Sequence, residues 1–210
     1  MRIALGNQKG GVGKTTLSLL ICNYISTVLK QKIVAVDLDP QLSLYYKWQS
    51  DKNLYVDNAP NYDVLKIPEE YSKLYELLQI IDESDNILID LPGYMVNNDN
   101  VGVFNNIDLL IVPFNYTAVD VESTLLYVKV IHQVNPNLKI CFIPNKVKTG
   151  AKYELLEGVN EVLANYGWLA PALNHYVDYE RVTVNNIPTK IKGQLLFCLS
   201  KVLEYGKGSN

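Results

Sequence analysis

The sequence predicts an α/β fold, a doubly wound and mostly parallel sheet flanked by helices and built around a phosphate-binding loop. Three observations carry this expectation. Short apolar runs alternate with stretches of helical periodicity along the chain, as strands joined by crossover helices do. Two of those runs, residues 32–37 and 86–90, are apolar almost throughout and end in a carboxylate, the form of parallel strands buried on both faces. Between the first run and the first helix lies the glycine-rich stretch Asn7-Gln-Lys-Gly-Gly-Val-Gly-Lys-Thr-Thr16.

Residues 2–6 are short, apolar and lead directly into the loop, so they form the first buried strand. Leu17, Leu20, Ile21, Tyr24, Ile25 and Val28 then recur at helical spacing, which opens the loop onto a helix N-terminus. Residues 32–37 are the second strand, and Pro40 restricts Asp39 behind it to extended geometry. Residues 43–67, rich in Tyr, Asn and Asp, show no clean period and predict a short helix and irregular structure. Pro68, Glu69 and Glu70 read as the first turn of a helix to about residue 82, with Tyr71, Leu74, Leu78 and Ile81 on its apolar face. Residues 86–90 form a strand ending at Asp90, followed by Leu91-Pro92-Gly93. Residues 109–113 are another strand, and Thr117 with Asp120 caps a helix reaching about Val134. Residues 139–145 form the next strand, followed by a helix burying Leu155, Val159, Val162, Leu163 and Tyr166. A last helix, from about Lys190 to Tyr205, buries Ile191, Leu195, Cys198, Leu199 and Val202.

The loop chemistry follows from residue type. Gly10, Gly11 and Gly13 permit positive φ and close approach of a ligand. Backbone N–H groups from Gly10 through Gly11, Val12, Gly13, Lys14, Thr15 and Thr16 then cradle phosphate oxygens at the positive end of a helix. Lys14 reaches the terminal phosphates and the Thr15 hydroxyl ligates Mg²⁺. The carboxylate of Asp90 has the place of a Walker B aspartate, with the Gly93 amide behind it as a γ-phosphate sensor. The general motif carries glycine where this chain has Gln8, and it has no use for a second lysine at position 9. After the strand at 139–145, Asn145-Lys146-Val147-Lys148 is superficially like a guanine-reading motif, but Lys148 replaces the aspartate that must accept hydrogen bonds.

The segment from Lys9 to Thr15 resembles the deviant Walker A motif of the ParA/MinD family of ATPases. Val36-Asp37-Leu38-Asp39-Pro40-Gln41 is similar to the switch I of that family. The resemblance runs from the loop to Asn145 and is weakest over residues 43–67 and after 170. It implies ATP and Mg²⁺ as ligands, with Lys9 crossing a dimer interface, Asp39 positioning the attacking water beside Lys14, Asp37 supporting the Mg²⁺ shell and Asn145 contacting adenine. Members of the MinD branch end in a basic amphipathic membrane helix, whereas the last apolar stripe here reads as core, so no membrane partner is expected. The nitrogenase iron proteins need cluster cysteines flanked by the switch strands, and none lie there. What remains resembles a small ParA-type partition ATPase without an N-terminal helix-turn-helix. That implies an ATP-bound homodimer on duplex DNA of any sequence, released when a ParB-like centromere-binding protein stimulates hydrolysis, in plasmid or chromosome segregation. The alternative is a positioning ATPase acting on a protein complex.

Composition bounds the rest. With 210 residues and 48% hydrophobic content, one core suffices, and a single domain over 1–210 is expected. No signal peptide and no apolar run of about 18 residues is visible, which predicts a cytoplasmic protein. Cys22, Cys141 and Cys198 are far apart in apolar surroundings and read as reduced core thiols, while His132 and His175 lack metal spacing, and His175 reads as a surface or packing residue. Residues 139–210 hold nine Lys and Arg against six Asp and Glu, although the whole chain carries −3. That late excess makes Lys190, Lys192, Arg181 and Lys148 candidate DNA contacts, from a pool that also holds Lys146, Lys152 and Lys201.

Overall fold

The computed structural model describes residues 1–55, 57, 59–82, 84–94, 101–150, 153 and 156–208. Seven strands make one sheet: β1 (Arg2–Leu5), β2 (Ile33–Asp37), β3 (Asp63–Lys66), β4 (Asn86–Asp90), β5 (Leu109–Phe114), β6 (Lys139–Pro144) and β7 (Trp168–Leu169). Their order is β3-β2-β4-β1-β5-β6-β7, and every neighbouring pair is parallel. The helices are α1 (Lys14–Asn23), α2 (Ser43–Leu54), α3 (Tyr71–Ile80), α4 (Ala118–Val134), α5 (Leu156–Ala164) and α6 (Thr189–Lys207).

Because successive strand residues face opposite sides, the central strands feed two cores. Ile3, Leu5, Ile111 and Cys141 pack under α1, α2 and α6. Ala4, Leu110, Val112 and Phe142 pack under α3, α4 and α5. The three cysteines are all buried and free, as their apolar settings suggested. Among the described residues no helix is long and apolar enough to cross a membrane.

Most elements lie where the pattern put them, including the cap of α4, where Thr117 Oγ1 accepts from the Asp120 N–H at 3.2 Å. Besides the two-residue edge strand β7, which the pattern did not show, four details differ. Part of the segment expected to be irregular forms β3, which pairs with β2 at the sheet edge. Four residues with charged ends are too short to show a period, and only Val64 of them is buried. Pro68 to Glu70 are a turn rather than the first turn of α3: Glu69 has φ 55°, and its N–H bonds Leu38 O. Val162, expected in the core, is exposed on α5, and Leu155 lies outside the described residues. Finally, α1 runs on into a π-helical turn, Tyr24–Val28, where Ser26 and Thr27 hydroxyls bond back to Cys22 O and Asn23 O. Such back-bonding loosens the ladder that a regular α-helix needs.

Candidate nucleotide site

Strand register assembles the site. Asp90 is the register partner of Leu5 on one side and of Asp37 on the other, so the end of β1 and both carboxylates share one level at the carboxyl edge. From β1 the chain crosses to β2 on one side, and from β4 it crosses back to β5 on the other. A crevice outside the strand ends at such a reversal is where ligands bind in open α/β sheets.

The loop between β1 and α1 has the conformation its glycines allow. Gly11 has φ 78° and Gly13 φ 97°, and Gly13 caps α1 with its carbonyl accepting from Leu17 N at 3.0 Å. Asn7 braces the loop from beneath, a role that its sequence position did not reveal. It is fully buried, donates Nδ2 to Pro113 O and Thr124 Oγ1, both at 2.9 Å, and accepts from the Lys9 N–H at 3.1 Å. Lys14 Nζ reaches back to Asn7 O at 3.2 Å. A Cβ placed on Gly93 would come 3.6 Å from that ammonium, so the switch after β4 runs beside Lys14.

The carboxylates behave differently from one another. Both Asp37 oxygens accept backbone amides, from Asp39 at 3.1 Å and from Tyr45 at 2.9 Å. Asp37 thereby caps α2, which has no side-chain cap of its own and follows Leu42 in the left-handed region. Burial raises its carboxyl above the usual range, against the opposing pull of the Tyr45 and Asp39 amides. Asp39 is half-buried, and its Oδ1 accepts from Gln41 N at 2.9 Å. Asp90 is buried, and its Oδ2 accepts from Thr15 Oγ1 at 3.3 Å. Burial first, and then the neighbouring Asp37 charge, push Asp90 from 3.8 up to about 7, while Lys14, Ser18 and Thr15 pull it down. Its Oδ1 and the Ser18 hydroxyl are both buried and, among the described residues, meet no partner in good hydrogen-bond geometry, so the influence of Ser18 on Asp90 is that of a nearby dipole and not of a formed bond.

These residues fit Mg²⁺. An orphaned carboxylate oxygen beside a threonine hydroxyl is a hard-oxygen donor set, and Mg²⁺ prefers one or two such ligands completed by phosphate and water. Among the described residues no group of three or more His, Cys, Asp or Glu could hold an ion without such help.

Asn145 follows β6 and is buried over the loop. It donates Nδ2 to Val12 O at 2.8 Å, and a Cβ on Gly13 would collide with that same Nδ2. Beside it opens a cleft of about 150 Å³ lined by Gly13, Thr16, Leu17, Asn145, Lys146 and a wall of His175, Tyr176, Tyr179 and Glu180. His175, read from sequence as a surface or packing residue, therefore lines the cleft, together with Tyr176 and Tyr179. Their only sequence signal was a cluster of aromatic residues. Lys146, in the left-handed region at φ 55°, donates Nζ to Gly11 O at 2.6 Å and ties the strand end to the loop.

The basic candidates differ in their settings. Lys190 pairs with Asp178 at 3.8 Å and lies over the Tyr176 ring, which places it at the rim of the cleft. Lys192 is exposed two residues further along α6, and residues so spaced point to different sides of a helix. Arg181 is exposed at the end of the 3-10 turn Val177–Arg181, and Lys148 is exposed after β6. Lys201 pairs with Glu204 at 2.8 Å, and Lys152 lies outside the described residues.

Residues 3–180 match the family described as the CobQ/CobB/MinD/ParA nucleotide binding domain. The chain belongs to that family. Among curated relatives, the chromosome-partitioning ATPase Soj of Thermus thermophilus is 55% identical over 40 residues, which is 19% of this chain and 16% of that protein. The aligned stretch thus spans about a sixth of the relative's length. Among solved structures, the ATP complex of a single-residue variant of Cyanothece McdA superposes with a TM-score of 0.75 at 17% identity, covering 100% of this chain and 96% of that one. A plasmid partition protein of Borrelia burgdorferi bound to AMPPNP gives 0.75 at 19% identity over 97% and 98%. Likeness at such identity concerns the fold. This member of the CobQ/CobB/MinD/ParA family shares its fold with both.

Proposed function

We propose that the chain, as a single cytoplasmic domain, is an Mg²⁺-dependent ATPase that works as a dimerising switch in plasmid or chromosome partition. The observation that carries the proposal is the meeting of Lys14, Thr15 and Asp90 at one sheet edge, while the second loop lysine, Lys9, turns to Asp120 instead. Gly10 to Thr16 cradle the phosphates, and the cleft beside Asn145 takes the adenine. Thr15 Oγ1 and Asp90, with Asp37 behind it, would hold Mg²⁺, which neutralises charge developing on the phosphate oxygens. Asp39 orients the water that attacks the γ-phosphorus, while Lys14 steadies the charge passing to the ADP oxygen. Lys9 reaches the nucleotide of the second subunit, so ATP favours the dimer and hydrolysis dissolves it.

The ATP dimer would bind duplex DNA without sequence preference and be released by a ParB-like partner. The test is a DNA titration with ATP and with ADP at several salt concentrations. Binding that requires ATP and weakens with a slope of about 0.9 per phosphate neutralised supports it. A dimer with no DNA affinity at low salt overturns it. The second reading, a protein complex as cargo, is favoured by the pairing of Lys146, Lys190 and Lys201 within the chain.

A further inference from the structure

The segment that carries the wall of the cleft, His175, Tyr176, Tyr179 and Glu180, leads into a tight turn in which Thr183 and Asn186 exchange backbone hydrogen bonds. This turn is held from beneath by two buried polar side chains on different helices. Asn23, at the end of α1, donates Nδ2 to Thr183 O at 2.8 Å, and its Oδ1 accepts from Tyr62 Oη at 3.1 Å. Asp51, on α2 and 3% exposed, accepts the Val184 N–H on Oδ2 at 3.1 Å and Lys47 Nζ on Oδ1 at 2.7 Å. Trp48, one turn earlier on α2, donates Nε1 to Tyr62 O at 3.1 Å, which joins the two clamps.

A buried carboxylate is costly in a core, and an apolar side chain of similar size would often be as stable. Stability alone therefore accounts poorly for Asp51. Neither Asn23 nor Asp51 lines the cleft, yet each grips the backbone within a few residues of Tyr179 and Glu180, which do. The apolar side chains of the gripped segment, Val182 and Val184, are buried in the same core as Leu44 and Trp48 of α2. The far end of α2 is capped by Asp37, so one helix runs from the carboxylate edge to the wall of the cleft.

We propose that Asn23 and Asp51 are positioning residues for the nucleotide base. Through Thr183 O and Val184 N–H they fix how far the wall of Tyr176, Tyr179 and Glu180 stands from Asn145 and Leu17. Losing either clamp lets the wall drift, which weakens the grip on the base and leaves the phosphate loop intact. This rests on reading the cleft as the base site.

The test compares ADP with inorganic tripolyphosphate, each with Mg²⁺, by calorimetric titration. Tripolyphosphate occupies the loop but has no base. Asp51→Ala and Asn23→Ala should each lose about tenfold in ADP affinity, the size expected for one bond to a charged or buried group. Both should keep tripolyphosphate affinity within about twofold. Asp51→Asn, whose Oδ1 still accepts from Val184 N–H, should stay within about threefold of the parent for ADP. Unchanged ADP affinity in both alanine variants, or an equal loss for the two ligands, overturns the proposal. If Asp51→Ala does not fold, Asn23→Ala carries the comparison. If the parent protein binds ADP no more tightly than tripolyphosphate, the reading of the cleft itself fails. If the parent prefers ADP and the variants keep that preference, only the clamp fails.

Discussion

Lys9 Nζ stands 3.7 Å from Asp120 Oδ1, joining the phosphate loop to the first turn of α4. In the single chain, the lysine expected to reach a second subunit is thus held by its own. Its side chain is 40% exposed, so the hold is weak and releasable. Exposed ion pairs contribute about 0–1 kcal/mol.

Asp120→Asn should therefore lower the ATP concentration needed for half-dimerisation by a few fold, because the competing contact is gone. Lys9→Ala should bind nucleotide with near-parental affinity and stay monomeric. Analytical ultracentrifugation with ATP reads both. A normal ATP-dependent dimer of Lys9→Ala would remove this lysine from the interface.

Asp90 makes the stability of the ligand-free protein depend on pH. Its folded value of about 7 lies above the ordinary 3.8, so between those limits the native state holds a proton that the unfolded chain has released. Stability then falls as pH rises from about 4 to about 7 and levels off above it. Three pH units at about 1.4 kcal/mol each set an upper bound near 4 kcal/mol. Thermal melts across this range should show the decline, and Asp90→Asn should make it shallower, leaving the share that the raised Asp37 carboxyl contributes, while weakening the extra stabilisation that Mg²⁺ adds to ADP.

Gly13 meets two constraints at once, a left-handed φ of 97° and the Asn145 amide in the place of a Cβ. Gly13→Ala should abolish measurable nucleotide binding. Asn145→Ala should cost about tenfold, by orphaning Val12 O and opening the cleft. The double variant should recover only part of the Gly13→Ala loss, because the backbone strain remains. Full recovery in calorimetry would assign the whole effect to the collision.

Asp39→Ala should bind ATP and dimerise, yet lose turnover by on the order of a hundredfold or more, the contribution typical of a group aligning a proton transfer. Phosphate release measured beside sedimentation separates the two. Parental turnover would exclude Asp39 from the chemistry, and loss of ATP binding would mark it as structural.

Much of this protein was legible in its sequence because the decisive contacts are local. The loop from Lys9 to Thr15 binds through contiguous backbone, so glycine spacing suffices to reveal it, and apolar strands ending in Asp37 and Asp90 announce the carboxyl edge. Buried helix stripes such as Ile191, Leu195, Cys198 and Val202 follow from a period of 3.6 residues. Tertiary structure alone decided what depends on distant segments meeting. The wall of His175, Tyr176, Tyr179 and Glu180 reaches the loop across the sheet, and Asn23 and Asp51 grip a turn more than 130 residues away. The edge strands β3 and β7 are too short to carry a period, and backbone pairing with β2 and β6 defines them. Charge counted along the chain does not say which cations share a face: Lys190 and Lys192 point to different sides of α6, and Lys201 is paired with Glu204. A sequence records which groups a segment carries, whereas packing of the two cores against one sheet determines which groups face one another.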